Sequence, residues 1–165
     1  MTTTQVGSEE QVARLLHRAW VVDGELQQNA FALKEDETYL SVNRMAIESF
    51  NEDVNDFLSK HKQYKTADNE DCYRRVVLKV KDIRELSVCF EKEIATLSVE
   101  VEPRDAHYKS HAGIFIRVDG KCIKGGMSED IETSDNQVIS ASAILQKTRM
   151  RLLQMSKVEN CILTD

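Results

Sequence analysis

The chain has 165 residues, of which 41% are hydrophobic and 30% are charged, and its formal net charge is −6 at pH 7. These proportions are typical of one globular domain and exclude an intrinsically disordered or fibrous chain. The acidic balance argues against non-specific nucleic-acid binding, which needs clustered basic side chains. No apolar run approaches the roughly 18 residues that span a bilayer, so no membrane segment is predicted.

The cysteines and the N-terminus indicate the compartment. The four cysteines lie at wide spacings without a CxxC pair, a pattern that favours reduced thiols over a disulfide framework; they are Cys72, Cys89, Cys122 and Cys161. The residues after Met1 are polar, unlike the apolar segment of a secretory signal. We therefore expect a cytoplasmic protein.

The N-terminal part of the chain predicts one short helix followed by short strands. Residues 1–8 are polar and are expected to form a flexible terminus. Ser8 and Gln11 fit a capping box, and the apolar residues that follow have helical spacing: Val12, Leu15, Leu16 and Ala19. Asp23-Gly24 predicts a turn. Strands are predicted over residues 30–33 and 39–42.

The middle of the chain predicts a helix and two strands. Asn43 is placed to cap a helix over residues 45–60. Its apolar stripe is expected to face the core: Ala46, Phe50, Val54, Phe57 and Leu58. Its acidic residues are expected to face solvent: Glu48, Glu52, Asp53 and Asp56. An exposed loop over 62–71 is followed by a strand over 73–81, a helical turn over 83–86 and a strand over 94–101, which Pro103 ends.

The C-terminal part predicts a hairpin and a long helix. A strand over 112–118 leads through Asp119-Gly120, a strong hairpin turn, to a return strand over 121–124. An acidic, flexible connection over 125–136 follows. Ser134 and Gln137 form a capping box for a helix over 135–157, with this buried seam: Val138, Ala141, Leu145, Leu152 and Met155. A short strand over 161–163 ends the chain.

These elements predict the fold class. The chain is expected to be an α+β protein, with a single domain over residues 9–165 in which a mostly antiparallel sheet packs against two or three helices.

The sharpest chemical pattern is His107-x-x-x-His111. On a helix, two such histidines share a face and can hold zinc. Here Pro103 lies upstream and strand-forming residues lie downstream, Tyr108 replaces the glutamate of a zinc-protease motif, and no third ligand is evident. We therefore predict no metal site and no cofactor. His111, at the mouth of the predicted strand, stays a candidate for ligand contact or catalysis.

Three groups of short sequence motifs resemble those of a family of small bacterial proteins. The words are Leu16-His17-Arg18-Ala19-Trp20 with Asp23-Gly24, then Ala30-Phe31 with Leu40-Ser41-Val42, and finally His111-Ala112-x-Ile114 after Glu102-Pro103. The resemblance covers roughly residues 15–118. It implies a bacterial protein and brings no established activity.

The order of these words also resembles the RES-type toxins. Those proteins degrade NAD on an ADP-ribosyltransferase-like fold and carry an early arginine, a middle glutamate and a later serine. Arg18 matches the arginine, and Ser41 lies on a predicted strand nearby; no glutamate or later serine can be assigned. The resemblance implies that Arg18 grips a phosphate while His111 or Ser41 orients a ribose.

Two functional hypotheses follow, and whether the protein is an enzyme stays open between them. The first is a binding or regulatory module that acts in a protein complex or as a homo-oligomer, because no complete catalytic set is evident. The alternative is an enzyme that processes NAD or another nucleotide. The candidate catalytic residues are His111, Ser41 and Arg18, and His107 joins them as a candidate for small-molecule binding.

Overall fold

Alternating apolar residues build a mostly antiparallel sheet that carries helices on both faces. The computed structural model describes residues 5–86, 97–104, 107–127, 129–134 and 136–163. Within these ranges the sheet has eight strands and three α-helices pack on it, so the predicted α+β single domain is confirmed. None of the helices described is long and apolar enough to cross a bilayer.

The elements have the following bounds. The strands are β1 Gln11–Leu15, β2 Val21–Val22, β3 Glu25–Leu26, β4 Tyr39–Arg44, β5 Lys65–Thr66, β6 Asn69–Lys79, β7 Leu97–Pro103, β8 His111–Val118, β9 Lys121–Cys122, β10 Asp130–Glu132, β11 Val138–Ser140 and β12 Val158–Ile162. The α-helices are α1 Phe50–Lys60, α2 Val80–Arg84 and α3 Ala141–Met155, and short 3₁₀ turns cover Arg18–Trp20, Gln28–Phe31 and Lys62–Tyr64.

The sheet order is β12-β6-β1-β4-β8-β7, with β5 beside β6 and β9 beside β8. Strands β2 and β3 form one separate ribbon, and β10 and β11 form another. The larger core lies on the face covered by α2 and α3, where Val42, Ile114 and Leu152 are buried. A smaller core joins β1 and β6 to α1 through Leu15, Val54 and other apolar residues. The two faces therefore have separate helical covers.

The sequence patterns located several elements correctly. Strands β4, β6 and β8 occupy the regions predicted to be strands, and β12 confirms the predicted terminal strand. The turn at Asp119-Gly120 has φ angles of 52° and 77°, and Asp23-Gly24 has angles of 51° and 80°. Both are hairpin turns with two residues at positive φ, which asparagine, aspartate and glycine tolerate best.

The predicted first helix is wrong, because this segment forms β1 and a 3₁₀ turn. Strand β1 lies between β6 and β4, and every one of its residues except Gln11 is buried. A strand covered on both faces loses the apolar–polar alternation that identifies strands. Glu10, which lies between the predicted capping residues Ser8 and Gln11, forms a salt bridge with Arg44 at 2.8 Å.

Three other predicted boundaries are wrong for local reasons. Residues 28–31 form a 3₁₀ turn and not a strand. Asn43 lies inside β4, and α1 begins only at Phe50. Helix α3 begins at Ala141, since Val138–Ser140 pairs with β10, and the hydroxyl of Ser140 accepts a bond from the Ala143 amide.

Smaller differences concern the connections and the terminus. The loop predicted over 62–71 contains a 3₁₀ turn, β5 and the start of β6. The helical turn predicted over 83–86 begins earlier, at Val80. Of the strand predicted over 94–101, residues 94–96 lie outside the described residues. In the N-terminal stretch, Val6 is buried and its carbonyl accepts a bond from Arg84 at 2.7 Å.

The ion pair of Glu10 with Arg44 makes the stability of the fold depend on pH. The Arg44 Nε and Nη2 atoms donate to the two carboxylate oxygens of Glu10 at 2.9 and 2.8 Å. This contact lowers the pKa of Glu10. A carboxylate whose pKa is lowered by folding stabilises fully above its unfolded pKa of about 4.3, and the stabilisation is lost as the pH falls through the folded pKa.

We expect Glu10→Gln to lower the free energy of unfolding by about 2 kcal/mol at pH 7, because the buried Arg44 charge loses its carboxylate counterpart. The difference from the parent protein should shrink below about pH 4, where Glu10 becomes protonated. Urea unfolding at several pH values measures this. In the control Glu9→Gln, an exposed pair with Lys79 at 3.3 Å is lost, and the change should stay below about 0.5 kcal/mol. Equal losses from both substitutions would contradict the account.

Candidate functional site

The floor of the candidate site lies where β1 and β4 separate. These strands pair at only two positions, opposite Val12 and Ala13. Beyond them the Arg14 side chain spans the gap, with Nη1 donating to the Ser41 carbonyl at 2.7 Å and Nε to the Ala30 carbonyl at 2.8 Å. One guanidinium therefore joins β1, β4 and the 3₁₀ turn Gln28–Phe31.

An open cleft of about 340 Å³ adjoins this guanidinium. Its volume is at the lower end of the range of about 300–1,000 Å³ that is typical of small-molecule sites. The wall combines aromatic rings, polar side chains and one buried cation. The lining residues are Arg14, Leu15, Ser41, Asn43, Phe57, Tyr64, His107, Tyr108 and His111.

Arg14 is a buried cation without a carboxylate partner in the described part of the chain. Arg14 is only 8% exposed. Burial lowers the pKa of its guanidinium to about 10, so the group stays protonated at neutral pH. Two carbonyls hold it, and its Cζ lies 5.0 Å from the Trp20 ring centroid. Glu37 attracts it only through space. Buried charges are normally paired, so this site favours an anionic ligand group.

Aromatic rings form one wall of the cleft. The Phe57 and Tyr64 rings meet edge to face at 5.1 Å, and Tyr64 meets Trp20 in the same way at 5.8 Å. The Phe57 ring also packs against His61 at 4.4 Å. Because these contacts hold the rings in fixed orientations, Phe57 and Tyr64 offer preformed aromatic surface to a planar ligand.

Ser41 and His111 meet at the opposite wall. Strand β4 runs antiparallel to β8, with Ser41 opposite Gly113 and Asn43 opposite His111. This register places Ser41 Oγ 3.2 Å from His111 Nε2. Burial, and then the charge of Arg104, lower the pKa of His111, while a backbone hydrogen bond at Arg104 opposes them. The imidazole is therefore neutral at pH 7 and can accept a proton.

A buried carboxylate holds the turn that carries these histidines. Asp53, on α1, accepts bonds at 2.6 Å from the Ser110 hydroxyl and at 3.0 Å from the Ser110 amide. Two further bonds complete the network. The Ser49 hydroxyl donates to Asp53 at 3.0 Å, and the side-chain amide of Asn43 donates to the Ser110 hydroxyl at 3.0 Å. The expectation that Asp53 faces solvent is wrong, because α1 turns this residue toward the start of β8.

Tyr108 is held by a second acid of α1. Its hydroxyl donates to Asp56 Oδ2 at 2.7 Å. Burial and this hydrogen bond raise the pKa of Tyr108 to about 12, and the same contact lowers the pKa of Asp56. The pair fixes the Tyr108 ring as a neutral wall of the cleft at every pH near neutrality.

Three of the four predicted site residues lie together, and one does not. Ser41, His107 and His111 line the cleft, whereas Arg18 borders a separate small recess. The Arg18 guanidinium donates to the carbonyls of Lys62 and Gln63, at 2.5 and 3.4 Å.

Six of the lining residues were not predicted from the sequence to belong to a site: Arg14, Leu15, Asn43, Phe57, Tyr64 and Tyr108. Arg14 carried a usable signal, since a charge between the apolar residues Ala13 and Leu15 is unusual in a buried segment. The three aromatic residues carried none, because their convergence depends on how α1 and the turn before β8 pack.

The part of the chain that the structure describes contains no assembled metal site. No three histidine, cysteine, aspartate or glutamate side chains converge there as metal ligands would. Cys72, Cys122 and Cys161 are free thiols, and Cys89 lies outside the described residues.

No protein-family model matches the chain, no curated protein matches its sequence, and no solved structure matches its fold.

The Asp53 network should be needed for stability. We expect Asp53→Ala to lower the free energy of unfolding by about 3 kcal/mol, because the buried Ser110 amide and hydroxyl lose their charged acceptor. Chemical denaturation measures the change. The matched control is Glu52→Ala, an exposed neighbour on α1, which should change stability by no more than about 0.5 kcal/mol. An Asp53 variant as stable as the parent would show that the network is dispensable.

Proposed function

We propose that the protein is a binding module whose cleft takes a planar ring compound with one anionic group. A nucleoside monophosphate and an aromatic carboxylate both have this chemistry. The observation that carries the proposal is Arg14, a protonated guanidinium buried at the floor of an aromatic cleft, held by two carbonyls and paired with no carboxylate among the described residues.

The walls fit the ring of such a ligand. Phe57, Tyr64 and Tyr108 offer aromatic faces and edges, and stacking on an aromatic side chain contributes about 1–3 kcal/mol per base. Ser41, Asn43 and His111 supply hydrogen-bonding groups that can orient it. The volume of about 340 Å³ suits a single nucleotide better than a dinucleotide.

The charged side chains near the cleft favour an anionic ligand, although the net charge of the whole chain is negative. Arg14 lies at the floor, and the Arg104 guanidinium lies 4.9 Å from the Tyr39 ring, close enough to His111 to lower its pKa. Two acids of α1 are engaged by hydrogen bonds, Asp56 by the Tyr108 hydroxyl and Asp53 by the amide and hydroxyl of Ser110. A cleft with low-dielectric walls concentrates such a positive field.

The wider setting of this binding function is proposed on sequence grounds. Scattered cysteines without a disulfide pattern support a cytoplasmic location. The resemblance to small bacterial proteins supports a bacterial source. If the module acts in a complex with a partner protein or a second copy of the chain, binding of the ligand in the cleft would regulate that complex.

Isothermal titration with a nucleoside monophosphate, the matching uncharged nucleoside and an aromatic carboxylate tests the proposal. We expect the anions to bind and the nucleoside to bind at least tenfold more weakly, since a charged hydrogen bond contributes about 1.5–3 kcal/mol. Arg14→Gln should remove the preference for the anion. Phe57→Ala, at a partly exposed position, should weaken the binding of the nucleoside monophosphate and of the nucleoside. Trp20 is the only tryptophan, so its indole signal in NMR spectra locates binding at the cleft.

Arg18→Gln is the matched control for the cation. It removes a guanidinium of the same kind from outside the cleft lining and should leave affinity unchanged. Loss of anion binding in Arg18→Gln with retention in Arg14→Gln would overturn the assignment of Arg14 and favour the phosphate role that the toxin resemblance implies. Absence of binding by every anion tried would overturn the proposal itself.

An NAD-processing enzyme is the second candidate, and the contact between Ser41 and His111 favours it. The Ser41 hydroxyl, 3.2 Å from the His111 ring, can orient this neutral imidazole, which takes a proton from a water as the water oxygen bonds to the ribose carbon bearing nicotinamide. The bond to nicotinamide then breaks, and the base leaves.

Incubation with NAD, followed by detection of free nicotinamide, tests this activity. If the candidate is right, the rate should be constant near pH 7 and should fall as the pH drops through the pKa of His111, which lies below the ordinary value of about 6.5. His111→Gln should abolish the release. Release that persists unchanged in His111→Gln, or no release by the parent protein, would rule out this role.

A further inference from the structure

A second cation lies beside the cleft, on the same face of the sheet. Arg104 directly follows β7, and it is exposed. Its backbone amide donates to the carbonyl of His111, a residue of the cleft lining, at 2.7 Å. Its guanidinium lies over two rings, with Cζ 4.9 Å from the Tyr39 centroid and 5.8 Å from the Phe115 centroid. Arg104 is therefore held next to the wall of the cleft that Ser41 and His111 form.

The two rings under Arg104 form a fixed platform. Tyr39 of β4 lies opposite Phe115 of β8 in the register, and their ring centroids are 5.2 Å apart. Gly113 leaves room for the Tyr39 ring, since a Cβ added to this glycine would lie 2.6 Å from a ring carbon. Phe115 is only 4% exposed. The guanidinium of Arg104 thus lies on an ordered aromatic surface, which is a favourable position for a cation.

Arg104 differs from the other arginine on this platform. Arg117 also lies over Phe115, at 4.7 Å, but its two terminal nitrogens donate to the two carboxylate oxygens of Glu102. The Arg104 guanidinium has no hydrogen bond or ion pair with any residue that the structure describes, and it acts on Glu102 only through space. A contact with a ring uses the face of a guanidinium and leaves the N–H donors at its edge available. These donors are suited to phosphate oxygens.

The two cations lie on opposite sides of the contact between Ser41 and His111. Arg14 fills the gap between β1 and β4, on one side of Ser41. Arg104 reaches Tyr39 from the end of β7, which lies beyond β8 in the sheet. The His111 ring is between them, with Nε2 3.2 Å from Ser41 Oγ and the ring centroid 6.0 Å from that of Tyr39. A sugar placed at Ser41 and His111 would therefore have a cation at each end.

We propose that Arg104 binds a second phosphate of the cleft ligand, so that the ligand is a nucleotide with phosphates at two positions of its sugar. One phosphate meets Arg14 and the other meets Arg104, while Ser41 and His111 orient the sugar between them. A nucleoside 3′,5′-bisphosphate has this chemistry. The inference rests on the function proposed for the cleft and specifies the class of its ligand.

Isothermal titration with adenosine 5′-monophosphate, adenosine 3′,5′-bisphosphate and adenosine 5′-diphosphate tests the proposal. We expect the bisphosphate to bind about tenfold or more tightly than the monophosphate, because its second phosphate accepts charged hydrogen bonds from Arg104. The diphosphate should gain about threefold at most, since both of its phosphates lie on one side of the sugar.

Variants of Arg104 and of its platform test the assignment. Arg104→Gln should reduce the ratio of the bisphosphate affinity to the monophosphate affinity to about threefold or less. The ratio is the readout because the charge of Arg104 also attracts the monophosphate through space. Lys109→Gln is the matched control: it removes an exposed positive charge from the turn before β8 and should leave the ratio unchanged. Tyr39→Leu, which removes the ring under Arg104, should lower the ratio, whereas Tyr39→Phe should keep it.

The outcomes separate this inference from the function on which it rests. Equal affinities of the parent protein for the monophosphate and the bisphosphate would overturn the inference and leave the proposed function intact. A high ratio that persists in Arg104→Gln, or that falls equally in Lys109→Gln, would also overturn it. An equal gain for the diphosphate would contradict the placement of the phosphates on two sides of the sugar. Absence of binding by all three nucleotides would remove nucleotides from the function proposed for the cleft, and this inference with them.

Discussion

The Arg14 guanidinium is the contact on which this structure depends. Strands β1 and β4 pair at two positions and then separate, and Arg14 fills the gap by donating to the carbonyls of Ser41 and Ala30. A side chain thus replaces part of the backbone ladder. Because the group doing so is charged and buried, the cleft above it acquires a positive floor that no described carboxylate neutralises. The fold and the candidate function therefore meet at one residue.

Sequence patterns predicted the sheet well where alternation or turn chemistry marks a strand. Strand β8 and the Asp119-Gly120 turn followed from alternation and turn chemistry. Strand β1 did not, since both of its faces are covered and its apolar residues also fit a helix. Nothing in the sequence indicated that Glu10 would pair with Arg44, far along the chain. Both failures arise from tertiary contacts that override a local pattern.

The candidate site was predictable in part for the same reason. Ser41 and His111 were selected as polar residues within strand-like words, and the pairing of β4 with β8 places them 3.2 Å apart. The two sequence motifs that contain Ser41 and His111 lie on neighbouring strands, where Leu40 pairs with Ile114 and Val42 pairs with Ala112. The role of Asp53 could not be found in this way, because helical periodicity does not tell which neighbour a flanking residue will meet.

Helix α3 shows a feature of a helix face that hydrophobic patterning hides. Thr148 lies in the buried face of this helix, where a polar residue looks like a tolerated substitution for an apolar one. Only the surroundings reveal that its hydroxyl and the neighbouring Arg149 Nε lack hydrogen-bond partners in the described structure.

A crystal structure of the protein with a nucleoside monophosphate is the most direct test of the central claim. The account predicts phosphate oxygens within hydrogen-bonding distance of the Arg14 guanidinium and the base against Phe57 and Tyr64. A nucleotide bound at Arg18 with the Arg14 cleft empty would contradict it.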